Sequence, residues 1–102
     1  MSVYYKKQDT EWIIVVEEDI LSTSVERLLV EWKKMLEQAS ELKGVCMDIN
    51  KVNIIDSQGL NLLIGLYKEC VKRAWHFRVT GCSKDIKRMF SLLKLTERFG
   101  IQ

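Results

Sequence analysis

The chain has 102 residues, of which 47% are hydrophobic and 29% charged, a balance ordinary for a soluble globular protein and too apolar for a disordered one. At this length folding buries about two-thirds of the unfolded chain's surface, so residues 1–102 are expected to form a single domain. Sixteen basic and 14 acidic residues give a net charge of +2 and are spread along the chain, which leaves no electrostatic footprint for nucleic acid; the nearest basic cluster, KDIKR, reads as a solvated helix face.

The first strand-like stretch is SVYYKK, and EWIIVVEED follows as an apolar run bounded by charges, the pattern of a buried strand. A hairpin through Gln8 to Glu11 would join them. STSVERLLVEWKKMLEQASELK then sets Val25, Leu28, Leu29, Trp32, Met35, Leu36 and Ala39 at helical spacing, with Thr23 and Glu26 as a capping box. GVCMDI predicts a second buried strand, and NIIDSQGLNLLIGLYKE leads into a helix reaching about Arg73. WHFRVT predicts a further strand with Trp75, Phe77 and Val79 on one face. Ser83 can cap a last helix whose Ile86, Met89, Phe90 and Leu93 form a stripe, and LTERFGI is too short to assign.

Strands alternating with helices imply right-handed crossovers and a largely parallel sheet. Lys6, His76 and Arg78, at alternate strand positions, leave part of that sheet wet. The expected fold class is α/β: a small, mostly parallel mixed sheet with helices packed mainly on one face.

The longest apolar runs, WIIVV and LLIGL, fall far short of the roughly 20 residues that span a bilayer, and MSVYYKKQ has no signal-peptide core. A cytoplasmic protein without membrane insertion is expected. Cys46, Cys70 and Cys82 are odd in number, lack CxxC spacing and read as reduced core thiols. His76 is the one histidine, so no metal cluster and no cofactor are expected.

With Ser57 at zero on a helical wheel, Leu60, Leu63, Ile64, Leu66, Tyr67, Cys70, Val71 and Ala74 share one broad apolar arc. Ser57, Asn61, Gly65, Lys68 and Lys72 lie opposite, with Leu62 near the border. Gly59 and Gly65 make the outer stripe small, as room for an approaching partner would require, at a cost of about 1 kcal/mol each relative to alanine. Asp56 or Ser57 can cap the helix. A phosphate on Ser57 would sit where free amides and the macrodipole favour an anion, so it would change surface charge without melting the helix.

The segment DINKVNIIDSQGLNLLIGLYKECVKRAWHFRVTGCSKDIKRMFSLLKLTERFGI resembles the STAS domain, and more narrowly the single-domain bacterial anti-sigma factor antagonists. The resemblance runs from Trp12 to Ile101 and is most specific at the Asp-Ser-x-Gly-Leu segment. It implies that Ser57 is phosphorylated by a partner that is both anti-sigma factor and serine kinase, and dephosphorylated by a serine phosphatase. It implies that the unphosphorylated form binds the anti-sigma factor and frees the sigma factor. The implied partner surface comprises Asp56, Ser57, Gln58, Gly59, Leu60, Asn61 and Leu62, with Ser22 and Thr23 from the loop before the first helix. A monomer, at most a weak dimer, is expected. Three positions depart from the family pattern: Gln58 where Ser or Thr is common, Asn61 where Gly is common, and Leu21 where an acidic residue is expected.

An enzyme with Ser57 as nucleophile fits poorly, because Ile55 stands where a nucleophile elbow needs glycine and His76 would have to act from a strand face. No glycine-rich GK[ST] phosphate loop is present. The stronger rival is a STAS adaptor or subunit of a membrane-transport or signalling complex, with Ser57 as a cap and contact residue only.

Overall fold

The computed structural model describes residues 3–38 and 41–101. Strands β1 (Val3–Gln8) and β2 (Glu11–Val16) form the expected hairpin, paired from Val3 with Val16 to Gln8 with Glu11. Asp9 turns the chain at φ 58°, a left-handed conformation that Asp tolerates better than most residues. Helix α1 (Val25–Gln38) crosses to β3 (Gly44–Asp48), α2 (Ser57–Lys72) crosses to β4 (His76–Thr80), and α3 (Lys84–Leu92) follows. The sheet order is β1-β2-β3-β4, with β2, β3 and β4 parallel.

Register decides which residues meet. Trp12, Ile14 and Val16 of β2 line up with Val45 and Met47 of β3 and with Phe77 and Val79 of β4 on one face. All are buried, together with Leu28, Trp32 and Met35 of α1, Leu63, Leu66 and Cys70 of α2, and Ile86 and Phe90 of α3. The helices therefore share one face of the sheet, as the sequence suggested. On the other face Lys6 and His76 are exposed, and Arg78 donates two hydrogen bonds to Glu11, Nε to Oε2 at 3.0 Å and Nη2 to Oε1 at 2.7 Å. That strap runs from β2 to β4 across β3, above Cys46, whose Sγ lies 3.5 Å from Thr80 Oγ1.

Several helical expectations shift. The capping box at Thr23 and Glu26 does not form: α1 starts at Val25, and the Ser24 hydroxyl turns back to donate to the Asp19 carbonyl at 2.7 Å. Leu29 stands at the exposed edge of α1 and Glu31 is buried instead, while Ala39 lies outside the described residues. On α2 the buried face is rotated toward Gly59, which leaves Val71 57% exposed. The helix ends at Lys72, with Ala74 left-handed at φ 61° and the Trp75 amide donating to the Cys70 carbonyl at 2.8 Å, a Schellman closure. Trp75 precedes β4 and is half-buried beneath the Arg73 guanidinium, 5.1 Å above its ring. Ser83 caps α3 as expected, accepting from the Ile86 amide at 3.2 Å, but Leu93 lies beyond the helix and is exposed.

The unassigned tail proves integral. Phe99 is fully buried, its ring against Phe90 at 5.1 Å, Phe77 at 5.6 Å and Tyr67 at 6.1 Å, and its carbonyl accepts from the Val79 amide at 2.7 Å. Phe99→Ala should therefore cost about 3–5 kcal/mol, as for other buried Phe truncations, read as a lower urea midpoint. An effect within surface-substitution range would show that the tail is not part of the core.

Candidate functional site

Two loops meet beyond the C-terminal ends of β2 and β3, where open parallel sheets commonly hold their ligands. The first runs from Glu17 to Ser24 and the second from Ile49 to Asp56. They join through a single parallel bridge between Ile20 and Ile55: the Ile20 amide donates to the Ile54 carbonyl at 3.0 Å, and the Asp56 amide to the Ile20 carbonyl at 3.1 Å.

Two aspartates lock this bridge from opposite sides. Asp19 Oδ1 accepts from the Asn53 and Ile54 amides at 2.8 and 3.0 Å. Asp56 Oδ2 accepts from the Ser22 amide at 2.8 Å, while its Oδ1 accepts from the Gly59 amide at 2.8 Å. Asp56 is thus both the N-cap of α2 and a clasp on the neighbouring loop, and these backbone donors, Gly59 first and then Ser22, hold its carboxyl below the ordinary value of 3.8. Arg27 of α1 pairs with Glu18 and ties the first loop to its own helix.

Gly59 has a different role from the one its place in the sequence suggested. It is buried, and a Cβ there would lie 2.1 Å from the Ile20 carbonyl oxygen. The missing side chain lets the first loop lie against the first turn of α2, so Gly59 belongs to the packed side of the helix and not to the outer stripe. Gly65 is the opposite case: it is exposed, with nothing within 4 Å of a Cβ built on it.

Ser57 is the first residue of α2 and is exposed, as are Gln58, Asn61, Ser22 and Thr23. Asp56, Leu60 and Leu62 are half-buried beside them. Ile54, which the sequence did not single out, is 57% exposed at the same loop junction. The Ile54-Ile55 pair held a signal: in extended chain only one of two neighbours can face the core. From Asn61 and Leu62 a groove of about 330 Å³ runs between α1 and α2, bordered by Leu29, Trp32, Gly65 and Glu69. Val25 and Gln58 border a second depression, of about 390 Å³, that shares Asn61 and Leu62. Leu21, the departure from the family pattern, is half-buried, and the carboxylate that organises this loop comes from Asp19 two residues earlier.

Ser57 and His76 lie at opposite ends of the sheet. His76 opens β4 and pairs with Gly44 at the start of β3, whereas Ser57 follows the end of β3. A serine–histidine couple cannot form across that length. Cys46 and Cys70 are buried and Cys82 half-buried, all free thiols; burial raises the pKa of each, that of Cys70 to about 12, away from nucleophilic use. Among the described residues no group of three or more His, Cys, Asp or Glu side chains could hold a metal ion, and no helix is long and apolar enough to cross a membrane.

The site thus sets an exposed serine beside a capping aspartate at the strand ends of a one-sided mixed sheet. The chain belongs to the STAS domain family, whose family model matches residues 3–102. No curated protein matches the sequence. Among solved structures, a candidate anti-sigma factor antagonist from Thermotoga maritima is similar at a TM-score of 0.82 and 17% identity, covering 93% of this chain and 80% of that one. The Bacillus cell fate determinant SpoIIAA in its phosphorylated form gives 0.72 and 14%, covering 93% and 86%; SpoIIAA in its unphosphorylated form gives 0.70 and 14%, covering 88% and 82%. A sulfate transporter family protein from Wolinella succinogenes gives 0.75 and 20%, covering 93% and 75%. These likenesses establish the shared STAS fold of four mixed strands and three helices.

Two measurements probe the loop junction. Gly59→Ala should destabilise by at least the 1–3 kcal/mol typical of overpacking, because backbone must move, whereas Gly65→Ala should stabilise by about 1 kcal/mol; urea unfolding of both gives the comparison. Asp56→Ala should lower the urea midpoint at neutral pH. Because the folded carboxyl pKa is depressed, that stabilisation is present above 3.8 and is lost as the pH falls through the folded value, so the two proteins should converge in acid.

Proposed function

We propose that this chain is an anti-sigma factor antagonist in a phosphorylation-controlled partner switch, acting as one STAS domain in the cytoplasm without catalytic machinery of its own. Unphosphorylated, it binds an anti-sigma factor that is also a serine kinase and so releases the sigma factor. Phosphate on Ser57 ends that binding, and a serine phosphatase restores it. The partner surface is the exposed crown of Ser22, Thr23, Ser57, Gln58 and Asn61 with the edges of Asp56, Leu60 and Leu62, to which we add Ile54.

The observation that carries this reading is the division of labour between Asp56 and Ser57. Asp56 already caps α2 and takes the Gly59 amide, so the Ser57 hydroxyl projects at the helix start without being needed for the fold. A phosphate there adds a charge of about −1.5 to −2 beside a carboxylate held ionised by its own donors. A docked partner would meet that anionic cluster where a small hydroxyl had been, and the helix would stay formed because its N-terminus favours anions. SpoIIAA, similar in fold, is described in both phosphorylated and unphosphorylated forms.

A second reading has its own support in the likeness to the sulfate transporter family protein: the domain serves as an adaptor of a membrane-transport or signalling complex, with Ser57 as a contact only. Calorimetric titration with the partner kinase separates the two. Ser57→Ala should retain binding, and Ser57→Asp should fold normally and bind at least about tenfold more weakly, 1.4 kcal/mol at the interface. Equal affinities, together with absence of Ser57 phosphate by mass spectrometry of the native protein, would favour the adaptor.

A further inference from the structure

The basic residues are spread evenly in sequence until the last fifth of the chain. Residues 84–98 hold five cations, Lys84, Lys87, Arg88, Lys94 and Arg98, against two carboxylates, Asp85 and Glu97, and so carry more positive charge than the whole chain's +2. All five cations are exposed, and among the described residues none takes part in an ion pair. They are not consumed by the fold.

The structure adds an apolar element to this charge. Ile86 and Phe90 anchor α3 to the core, so the stripe at i, i+4 and i+8 on the opposite side, Lys84, Arg88 and Leu92, faces outward. Leu92 is 75% exposed, the most exposed of the large apolar side chains among the described residues, and Leu93 beside it is 48% exposed. Just past them Ser91, Lys94, Thr96 and Arg98, with Glu97 opposing, line an open hollow of about 430 Å³. Two projecting leucines and a polar hollow with two cations therefore lie together at the C-terminal end of α3, with Lys84, Lys87 and Arg88 further back along the helix.

We infer that the α3 end is a docking site for an anionic lipid surface, with Leu92 and Leu93 entering the headgroup–acyl boundary while Lys94 and Arg98 engage lipid phosphate and Lys84, Lys87 and Arg88 add long-range attraction. Charge complementarity selects the anionic surface. The apolar residues select a bilayer over an acidic protein, because two adjacent leucines are too few for the apolar core of a protein interface, whereas insertion needs only depth and charge. None of these residues belongs to the loops and helix start around Ser57, so the site is independent of the proposed switch.

Co-sedimentation of the full chain with phosphatidylcholine vesicles, with and without phosphatidylglycerol, tests the inference. Binding should require phosphatidylglycerol and fall with added salt. The double variant Lys94→Glu, Arg98→Glu should lose at least about tenfold of it, since each basic residue at such a surface contributes about fivefold. The double variant Leu92→Ser, Leu93→Ser should also lose it while keeping the wild-type circular dichroism, both leucines being outside the core. Equal sedimentation with both vesicle types, none with either, or binding that survives the leucine variant would overturn the inference. Retention on immobilised polyglutamate that persists in the leucine variant, without vesicle binding, would assign the patch to an acidic protein partner and overturn it equally.

Discussion

The Ile20 carbonyl can lie against the first turn of α2 only because residue 59 has no side chain, in space that a Cβ there would fill. From that contact the rest of the junction follows. Ile20 and Ile55 come close enough to bridge, Asp19 reaches the amides of Asn53 and Ile54, and Asp56 reaches the amide of Ser22. Each loop thus satisfies backbone donors of the other, as two irregular segments that pack together require. Ser57, one residue past the cap, inherits a fixed position on the surface without contributing to the lock.

On the proposed reading of Ser57 as a phosphoacceptor, this arrangement separates two requirements that modification brings. The modified side chain has to be accessible to an enzyme, and the surface around it has to keep its shape whether or not the group is present. A serine serving as N-cap would meet the first requirement poorly, because its oxygen would be engaged with the helix amides. Here the neighbouring aspartate takes that duty, and its low pKa keeps it charged through the physiological range.

Much of this was legible in the sequence where signals are local. The hairpin, the order of strands and helices, the Ser83 cap and the partly wet outer face of the sheet each rest on residues near one another in the chain, and each appears in the structure. The larger failures are non-local. Thr23 and Glu26 have capping-box spacing, but the loop's hydrogen bonds go to a segment more than 30 residues away, and Ser24 turns to Asp19 instead. Gly59 looked like free space because Ile20, which fills it, is 39 positions distant. Val71 belonged to an apolar arc wider than the strip the fold covers, and Leu93 falls past the end of α3. The STAS resemblance located Asp56 and Ser57 from their motif, while their distinct roles needed the geometry.

Phe99 has a bearing on how the molecule comes into being. Its ring touches residues of α2, β4 and α3, and its carbonyl takes one amide, that of Val79, on the free edge of β4. A nascent chain that has not yet released residue 99 from the ribosome therefore holds a sheet and three helices with an open aromatic socket and an unpaired Val79 amide. Completion of the fold then waits for the tail, and until the tail arrives that edge and socket are what a chaperone or a second nascent chain would find.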